Sequence, residues 1–291
     1  HPFKGISLNV MKKLTVNNYS DLTAKATKYK LIGGKALIIL GDSAEILRDT
    51  KSKFNAGIMD PPYDFDAAGG KNRFGNKTNA FEVMREKGLA DGFDYNIIRE
   101  IAKTASSMLV FYHNDQDYDI TGLLTQGRQR YFIDEKTGLD DREYIPELYN
   151  RFCKCLWRKT NPLPVANKNY VPEYEPWIHA WNLPAFDVQG TLEEKHRIID
   201  APVGKSDYNH PTVKPLAIMR KCITNASKPG DVVIDPFAGS SSTGVAALSL
   251  GRFFIGIERD EEYYELSIHR LKAALSEFET GDAHEGQTIL I

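Results

Sequence analysis

The tetrapeptide Asp60-Pro61-Pro62-Tyr63 follows the apolar run Ala56-Gly57-Ile58-Met59, so a carboxylate and an aromatic ring are expected at the end of a buried strand. Two consecutive prolines fix φ twice and remove two N–H donors, so neither a ladder nor a helix continues through them. The carbonyl groups beside them stay available as acceptors. A rigid turn offering a carboxylate, a carbonyl and a ring face suits a flat ligand that bears an amino group. The same residues also read as a proline-stiffened turn capped by Asp60, and the tetrapeptide alone leaves both readings open.

A second stretch carries chemistry of another kind. Asp231-Val232-Val233-Ile234-Asp235 reads as a buried strand, followed by Pro236-Phe237-Ala238-Gly239-Ser240-Ser241-Ser242-Thr243-Gly244 and a helix over Val245 to Leu250. The strand Phe253 to Ile257 comes next and ends at Glu258. A Gly/Ser loop between strand and helix is a nucleotide-type cofactor site. It is not the dinucleotide fingerprint, because no glycine stands two residues after Gly239. The spacing of Gly239 and Gly244 resembles a P-loop, but Val245 and Ala246 occupy the Lys and Ser/Thr positions, so nothing there holds a β/γ-phosphate. Glu258 is placed to accept from a ribose diol. A nucleoside cofactor without a polyphosphate fits, and S-adenosyl-L-methionine is the obvious one. A tight βα turn with a surface Glu is the weaker alternative.

The elements that must position these residues follow from the pattern of apolar runs. Ala36 to Leu40 is a short buried strand, and Ala44 to Leu47 starts a helix capped by Asp42 or Ser43. Asp66 to Asn79, rich in Gly, Lys and Asn, reads as a long mobile loop. Asp94 caps a helix through Ile97, Ile98 and Ile101, and Met108 to Tyr112 is another buried strand. Arg151 to Trp157 alternates charged and apolar residues, as a half-exposed strand does, with Pro176 to Trp181 as its antiparallel partner. Pro215 opens a helix through Leu216, Met219 and Ile223. Ala24 to Lys35 is basic and glycine-punctuated, and Gly122 to Asn150 and Asn182 to Asp207 resist assignment. Strand–helix–strand alternation of this kind predicts an α/β fold with a mostly parallel central sheet and helices on both faces.

Composition bounds the rest. With 291 residues, 42% hydrophobic and 26% charged, the chain is long enough for one α/β domain with an insertion. Residues 1–10 lack pattern and precede Met11; they are set aside as an appended leader. No apolar run is long enough to span a membrane, and no signal-peptide pattern is visible. Cys153, Cys155 and Cys222 give neither a disulfide framework nor a zinc site, which fits a reducing cytoplasm and no bound metal. The formal charge of −2 means that any nucleic acid is met by a local basic face.

Together these motifs resemble the β group of S-adenosylmethionine-dependent DNA amino-methyltransferases, the adenine-N6 and cytosine-N4 enzymes. Asp60-Pro61-Pro62-Tyr63 resembles the catalytic motif of that family, and Asp235-Pro236-Phe237-Ala238-Gly239-Ser240 its cofactor motif. Gly41-Asp42, Trp157-x-Lys159-x-Asn161-x-x-Pro164 and His210-Pro211-Thr212-x-Lys214-Pro215 add three further matches. The catalytic motif precedes the cofactor motif, as in the β group. The triple serine Ser240 to Ser242 departs from the more usual Gly-Ser-Gly-Thr.

The resemblance implies a Rossmann-like class I methyltransferase fold with a small target-recognition insertion. A single domain would run over 11–290, with a catalytic part at 36–164, target recognition at about 165–207 and cofactor binding at 208–280. It implies that Asp60, Pro61, Pro62 and Tyr63 are catalytic. Asp235, Phe237, Ala238, Gly239, Ser240 and Thr243 would wall the methionine part of the cofactor, with Asp60 bordering it. Glu258 would hold the ribose, Asp42 the adenine edge, and His210, Thr212 and Lys214 the amino acid end. Lys159, Asn161 and Lys168 would touch DNA; Lys154, Arg158, Tyr170, Tyr174 and Trp177 either belong to that face or surround a small core. The implied partners are double-stranded DNA, a second copy of the chain and a separate restriction endonuclease, in the cytoplasm of a bacterial or phage-infected cell. The tetrapeptide beginning with Asp favours adenine over cytosine; a degenerate fold that only binds DNA is the alternative outside the enzymes.

Overall fold

The computed structural model of the chain describes residues 13–62, 92–133, 140–145, 147–162, 170–203 and 213–280. The expectations for residues 1–10, Tyr63, the loop 66–79, Lys168, His210 and Thr212 lie outside the described residues.

Alternation along the apolar runs builds two cores from one set of strands. In β2 (Ala36–Leu40), Ala36, Ile38 and Leu40 enter one core while Leu37 and Ile39 enter the other. In β4 (Ser107–Phe111), Leu109 and Phe111 join the first core and Met108 and Val110 the second. Strands buried on both faces read as continuous apolar runs, which is why β2, β3 (Ala56–Met59), β10 (Val232–Asp235) and β11 (Phe253–Glu258) stand out in the sequence. Each large side chain fully buried there contributes about 1.5–3 kcal/mol.

Helices cover both faces, as expected. Helices α5 (Leu216–Ala226), α6 (Ser242–Ser249) and α7 (Glu261–Thr280) pack on the first core. The short α1 (Ser20–Thr23) and α2 (Ser43–Leu47), with α3 (Asn96–Ala102) and α4 (Asp117–Thr125), pack on the second. Among the described residues no helix is long and apolar enough to cross a membrane.

The sheet is mixed. Its order is β1-β2-β11-β10-β3-β4-β8-β7-β9, where β1 is Lys28–Ile32, β7 is Arg151–Lys159, β8 is Tyr174–Trp181 and β9 is Ile198–Ala201. The central strands β2, β11, β10, β3 and β4 run parallel. Antiparallel pairing begins at the margins, β1 on β2 and β8 between β4 and β7. The Arg151–Trp157 strand and its antiparallel partner are as expected. Strands β1 and β9 are not, since both are largely exposed edge strands without clean alternation. The region 122–150 holds the end of α4 and a hairpin of β5 (Arg128–Ile133) with β6 (Asp140–Ile145) outside the main sheet.

Beside β10 the topology reverses: the chain passes from β10 to β11 on one side and from β3 to β4 on the other. A crevice opens outside the carboxyl ends of strands at such a switch point. Asp42 follows β2, Glu258 ends β11, Asp235 ends β10 and Asp60 follows β3. Four carboxylates far apart in sequence therefore stand in a row across four adjacent strand ends, roughly 15 Å long at about 4.8 Å per strand.

Candidate active site

Asp60 sits just beyond the fully buried strand β3, with Pro61 buried behind it. Its Oδ2 lies 2.5 Å from Lys214 Nζ, and Lys214 Nζ lies 2.7 Å from Glu175 Oε1. Lys159 Nζ reaches the other Glu175 oxygen at 3.3 Å. Lys214 is buried, its ammonium 5.1 Å from the centroid of the Phe111 ring. Burial alone would lower its pKa, but Asp60 and Glu175 outweigh that and hold it above the usual lysine value. Lys214, expected at the cofactor's amino acid end, is paired with the carboxylate of the proline turn.

The turn has a second anchor that the sequence did not announce. Gln116 is 2% exposed in a 3₁₀ turn after β4; its Nε2 donates to the Pro62 carbonyl at 3.3 Å, and its Oε1 accepts from the His113 N–H at 3.1 Å. Glu175 was missed as well. The available signals were a glutamine in the polar run after an apolar strand, and an acid at the start of a strand otherwise turned inward.

At the end of β10, Asp235 accepts from the Phe237 N–H (2.9 Å) and the Thr243 hydroxyl (2.6 Å). Burial pushes its pKa up to about 7 despite those bonds, with Asp60 and Glu258 adding to the rise. Glu258 accepts from the Gly239 N–H at 2.7 Å and the Asp260 N–H at 2.8 Å, and burial raises its pKa too. A carboxylate offers about four acceptor positions, so room for a ribose hydroxyl remains.

The Gly/Ser loop between these acids is held from behind. Ser241 bonds Ser267 at 2.9 Å, Ser267 donates to the Gly239 carbonyl at 2.7 Å, and Arg270 donates to the Ser240 carbonyl. Ser240, Ser241 and Ser242 are all buried. Ser241 stands where the family pattern has its second glycine, and it adopts the left-handed φ of 58° that a glycine would take. Helix α6 starts directly after it, three residues earlier than its apolar run predicts. Ala238 is buried and its N–H donates to the Ile257 carbonyl at 2.9 Å. The Phe237 ring meets Phe93 edge-on at 5.3 Å, and Phe93 meets Tyr95 at 4.8 Å. Asp42 is the N-cap of α2, accepting from the Glu45 N–H at 3.0 Å, while Ser43 donates to the Pro236 carbonyl.

Residues 55–269 match a family model described as DNA methylase. The chain belongs to that family. Over 66 residues the chain is 52% identical to the DNA adenine methyltransferase YhdJ of Escherichia coli (strain K12), covering 23% of the chain and 22% of that protein. Over 135 residues it is 33% identical to the type II methyltransferase M2.DpnII of Streptococcus pneumoniae, covering 40% of the chain and 49% of that protein. The matches thus span half the length of these curated relatives or less. Among solved structures, the M1.HpyAVI–SAM complex is similar at 27% identity and a TM-score of 0.53, over 81% of this chain and 100% of that one.

The face expected to meet DNA is partly absorbed by contacts within the chain. Lys154 pairs with Asp117 at 2.7 Å, and Arg158 with Asp200 through bonds of 2.9 and 2.6 Å. Asn161 exchanges bonds of 2.6 and 3.2 Å with the Val203 backbone, closing the end of β7 onto the segment after β9. Trp177 does not belong to that face: it is 2% exposed and packs on Phe111, because its strand turns it into the first core. Tyr170 is fully exposed and Tyr174 half-exposed. Among the described residues no cluster of His, Cys, Asp or Glu could hold a metal. The Cys155 thiol is pushed up to about 12 by burial, and Cys222 is raised likewise, so neither is a ready nucleophile.

Proposed function

We propose that this DNA methylase transfers the methyl group of S-adenosyl-L-methionine to the N6 amino group of an adenine flipped out of double-stranded DNA. The observation that carries this reading is the row Asp42, Glu258, Asp235 and Asp60 across the strand ends at the switch point, closed by a Gly/Ser loop without a phosphate-binding lysine. The donor set fits the cofactor. Its sulfonium charge would favour the ionised forms of Asp235 and Glu258, which burial alone disfavours.

When bound, the cofactor supplies a methyl group on a sulfonium, which leaves with its bonding electrons returned to sulfur. Asp60 and the Pro61 carbonyl would accept the two hydrogens of the target amino group, localising a lone pair that the ring otherwise delocalises. They also stabilise the positive charge that grows on nitrogen until one proton leaves. Lys214 holds Asp60 and Gln116 holds the Pro62 carbonyl, which fixes the turn carrying the Pro61 carbonyl, so both acceptors are oriented before the base arrives. Tyr63 would stack on the flipped base.

In the same reading Pro62 keeps the turn rigid. Glu258 takes the ribose, Asp42 the adenine edge, and Asp235, Phe237, Ala238, Gly239, Ser240 and Thr243 line the methionine side, with His210, Thr212 and Lys214 beyond. DNA contacts are proposed at Lys159 and Asn161, just before the recognition segment of about 165–207, and at Lys168 within it. The choice of adenine rests on the Asp that opens the tetrapeptide, and the relative named a DNA adenine methyltransferase supports it. A homodimer, a cognate endonuclease and a bacterial cytoplasm belong to this reading too. Solution mass and protection of methylated DNA from cleavage test the first two.

The test is methyl transfer from labelled cofactor to unmethylated genomic DNA, followed by digestion to nucleosides and mass spectrometry, with Asp60→Ala as control. N6-methyladenine formed by the wild type alone is the expected result. N4-methylcytosine would overturn the choice of base, and no methylated base with cofactor binding intact would overturn the activity.

A further inference from the structure

The side chains of Asp60, Lys214, Glu175 and Lys159 form a line of alternating charge, with contacts of 2.5, 2.7 and 3.3 Å. The line joins three parts of the fold: the proline turn after β3, the segment before α5, and the β7–β8 pair, where Glu175 lies opposite Trp157. Every member is at least three-quarters buried, with Lys214 at 8%, Glu175 at 12%, Lys159 at 21% and Asp60 at 22% exposure. Formal charges along the line cancel. Nothing in the proposed chemistry uses Glu175, yet it is the member that both lysines share.

Building on the amino-methyltransfer reading above, we propose that Glu175 is a positioning residue for it, dividing the Lys214 ammonium with Asp60 so that the acceptor carboxylate is held in one orientation and at full strength. Charge-assisted hydrogen bonds are strong and directional. Between two carboxylates the ammonium is fixed on one line and reaches Asp60 through Oδ2. Without Glu175, the line keeps two ammonium groups and one carboxylate, that of Asp60. The ammonium then turns wholly onto Asp60, rotating it and offsetting the negative charge that should meet the amino hydrogens. Lys159 completes the balance by neutralising Glu175 from the far side, its own ammonium 5.2 Å from the centroid of the Trp157 ring.

The experiment compares wild type, Glu175→Gln, Glu175→Asp and the double variant Glu175→Gln/Lys159→Met. Methyl transfer to DNA is measured at saturating DNA, with cofactor affinity and melting temperature measured on the same samples. Misplacing a reacting group by about 1 Å costs about 10²-fold, so kcat of Glu175→Gln is expected to fall by about that factor with cofactor affinity unchanged. Glu175→Asp, which keeps the charge on a shorter arm, falls less. The double variant restores the charge balance and recovers about tenfold over the single one, whereas loss of a purely structural contact would be deepened by a second substitution. Any contribution of Lys159 to DNA affinity appears in KM, not in kcat. An unchanged kcat in Glu175→Gln, or a double variant slower than the single, overturns the proposal while leaving the methyl-transfer reading intact. If Glu175→Gln does not fold, an unchanged kcat in Glu175→Asp overturns it. A wild type that transfers no methyl group overturns both.

Discussion

Replacing Lys214 by methionine tests how strongly the crevice depends on one buried cation. The stem is preserved in volume, and only the ammonium between Asp60 and Glu175 is lost. Removing one partner of a buried ion pair costs about 3–5 kcal/mol, because the charge left behind is uncompensated. Here two carboxylates are left, and Lys159 partly serves one of them at 3.3 Å, so a deficit of about 4 kcal/mol near pH 7 is expected. With a urea slope of about 3 kcal/mol per molar, the unfolding midpoint falls by roughly 1.3 M. The pH dependence identifies the cause. In the variant, burial without a cation raises the folded pKa values of Asp60 and Glu175 above their unfolded values of about 3.9 and 4.3. Each carboxylate then destabilises the fold at pH values above its raised pKa, and recovers about 1.4 kcal/mol per unit as it takes up a proton below it. The deficit relative to wild type must therefore shrink between pH 7 and pH 4.5. Urea denaturation followed by tryptophan fluorescence across that range measures it. A deficit below about 1 kcal/mol, or one that does not change with pH, would refute the electrostatic account.

Three further outcomes follow from particular contacts. His179 is buried against Ser107, and burial lowers its pKa to about 4. It therefore stabilises the fold above pH 6.5, and on the order of 3 kcal/mol is lost as the pH falls towards 4, a slope that His179→Gln should flatten in pH-resolved denaturation. At Gly244 an added Cβ would stand 2.6 Å from Leu271 and Phe254, so Gly244→Ala overpacks the α6–α7 contact. It should cost about 2 kcal/mol, read as a melting temperature about 4–8 °C lower by calorimetry. Gln116→Leu removes the donor to the Pro62 carbonyl, and the methylation assay should show kcat about tenfold lower with cofactor affinity unchanged.

What could be read in the sequence divides along a physical line. Ala36–Leu40 and Phe253–Glu258 are buried on both faces, so their residue types alone mark them as strands. Lys28–Ile32 and Ile198–Ala201 are edge strands with exposed side chains, and their residues are as compatible with a loop. The proline turn and the Gly/Ser loop were legible because local backbone chemistry dictates their residues. Gln116 and Glu175 were not, since their roles at the turn arise from Pro62, 54 residues away, and Lys214, 39 residues away. Whether Trp177 faces DNA or a core stayed open in the sequence for a related reason: a strand's inward face is set by its neighbour, here Phe111.

The position of β10 and β11 between β2 and β3 bears on how the chain comes together during synthesis. Strands β2 and β3 are neighbours in sequence but not in space, and two strands from the last quarter of the chain are wedged between them. Until residues 232–258 have left the ribosome, β2 and β3 each present an unpaired ladder of backbone donors and acceptors on a strongly apolar strand. Open edges of this kind invite pairing with another chain. The nascent polypeptide therefore carries its most association-prone surfaces until that segment emerges. The segment that completes the sheet is the same one that brings Asp235 and Glu258, so closing those edges and assembling the crevice are one event.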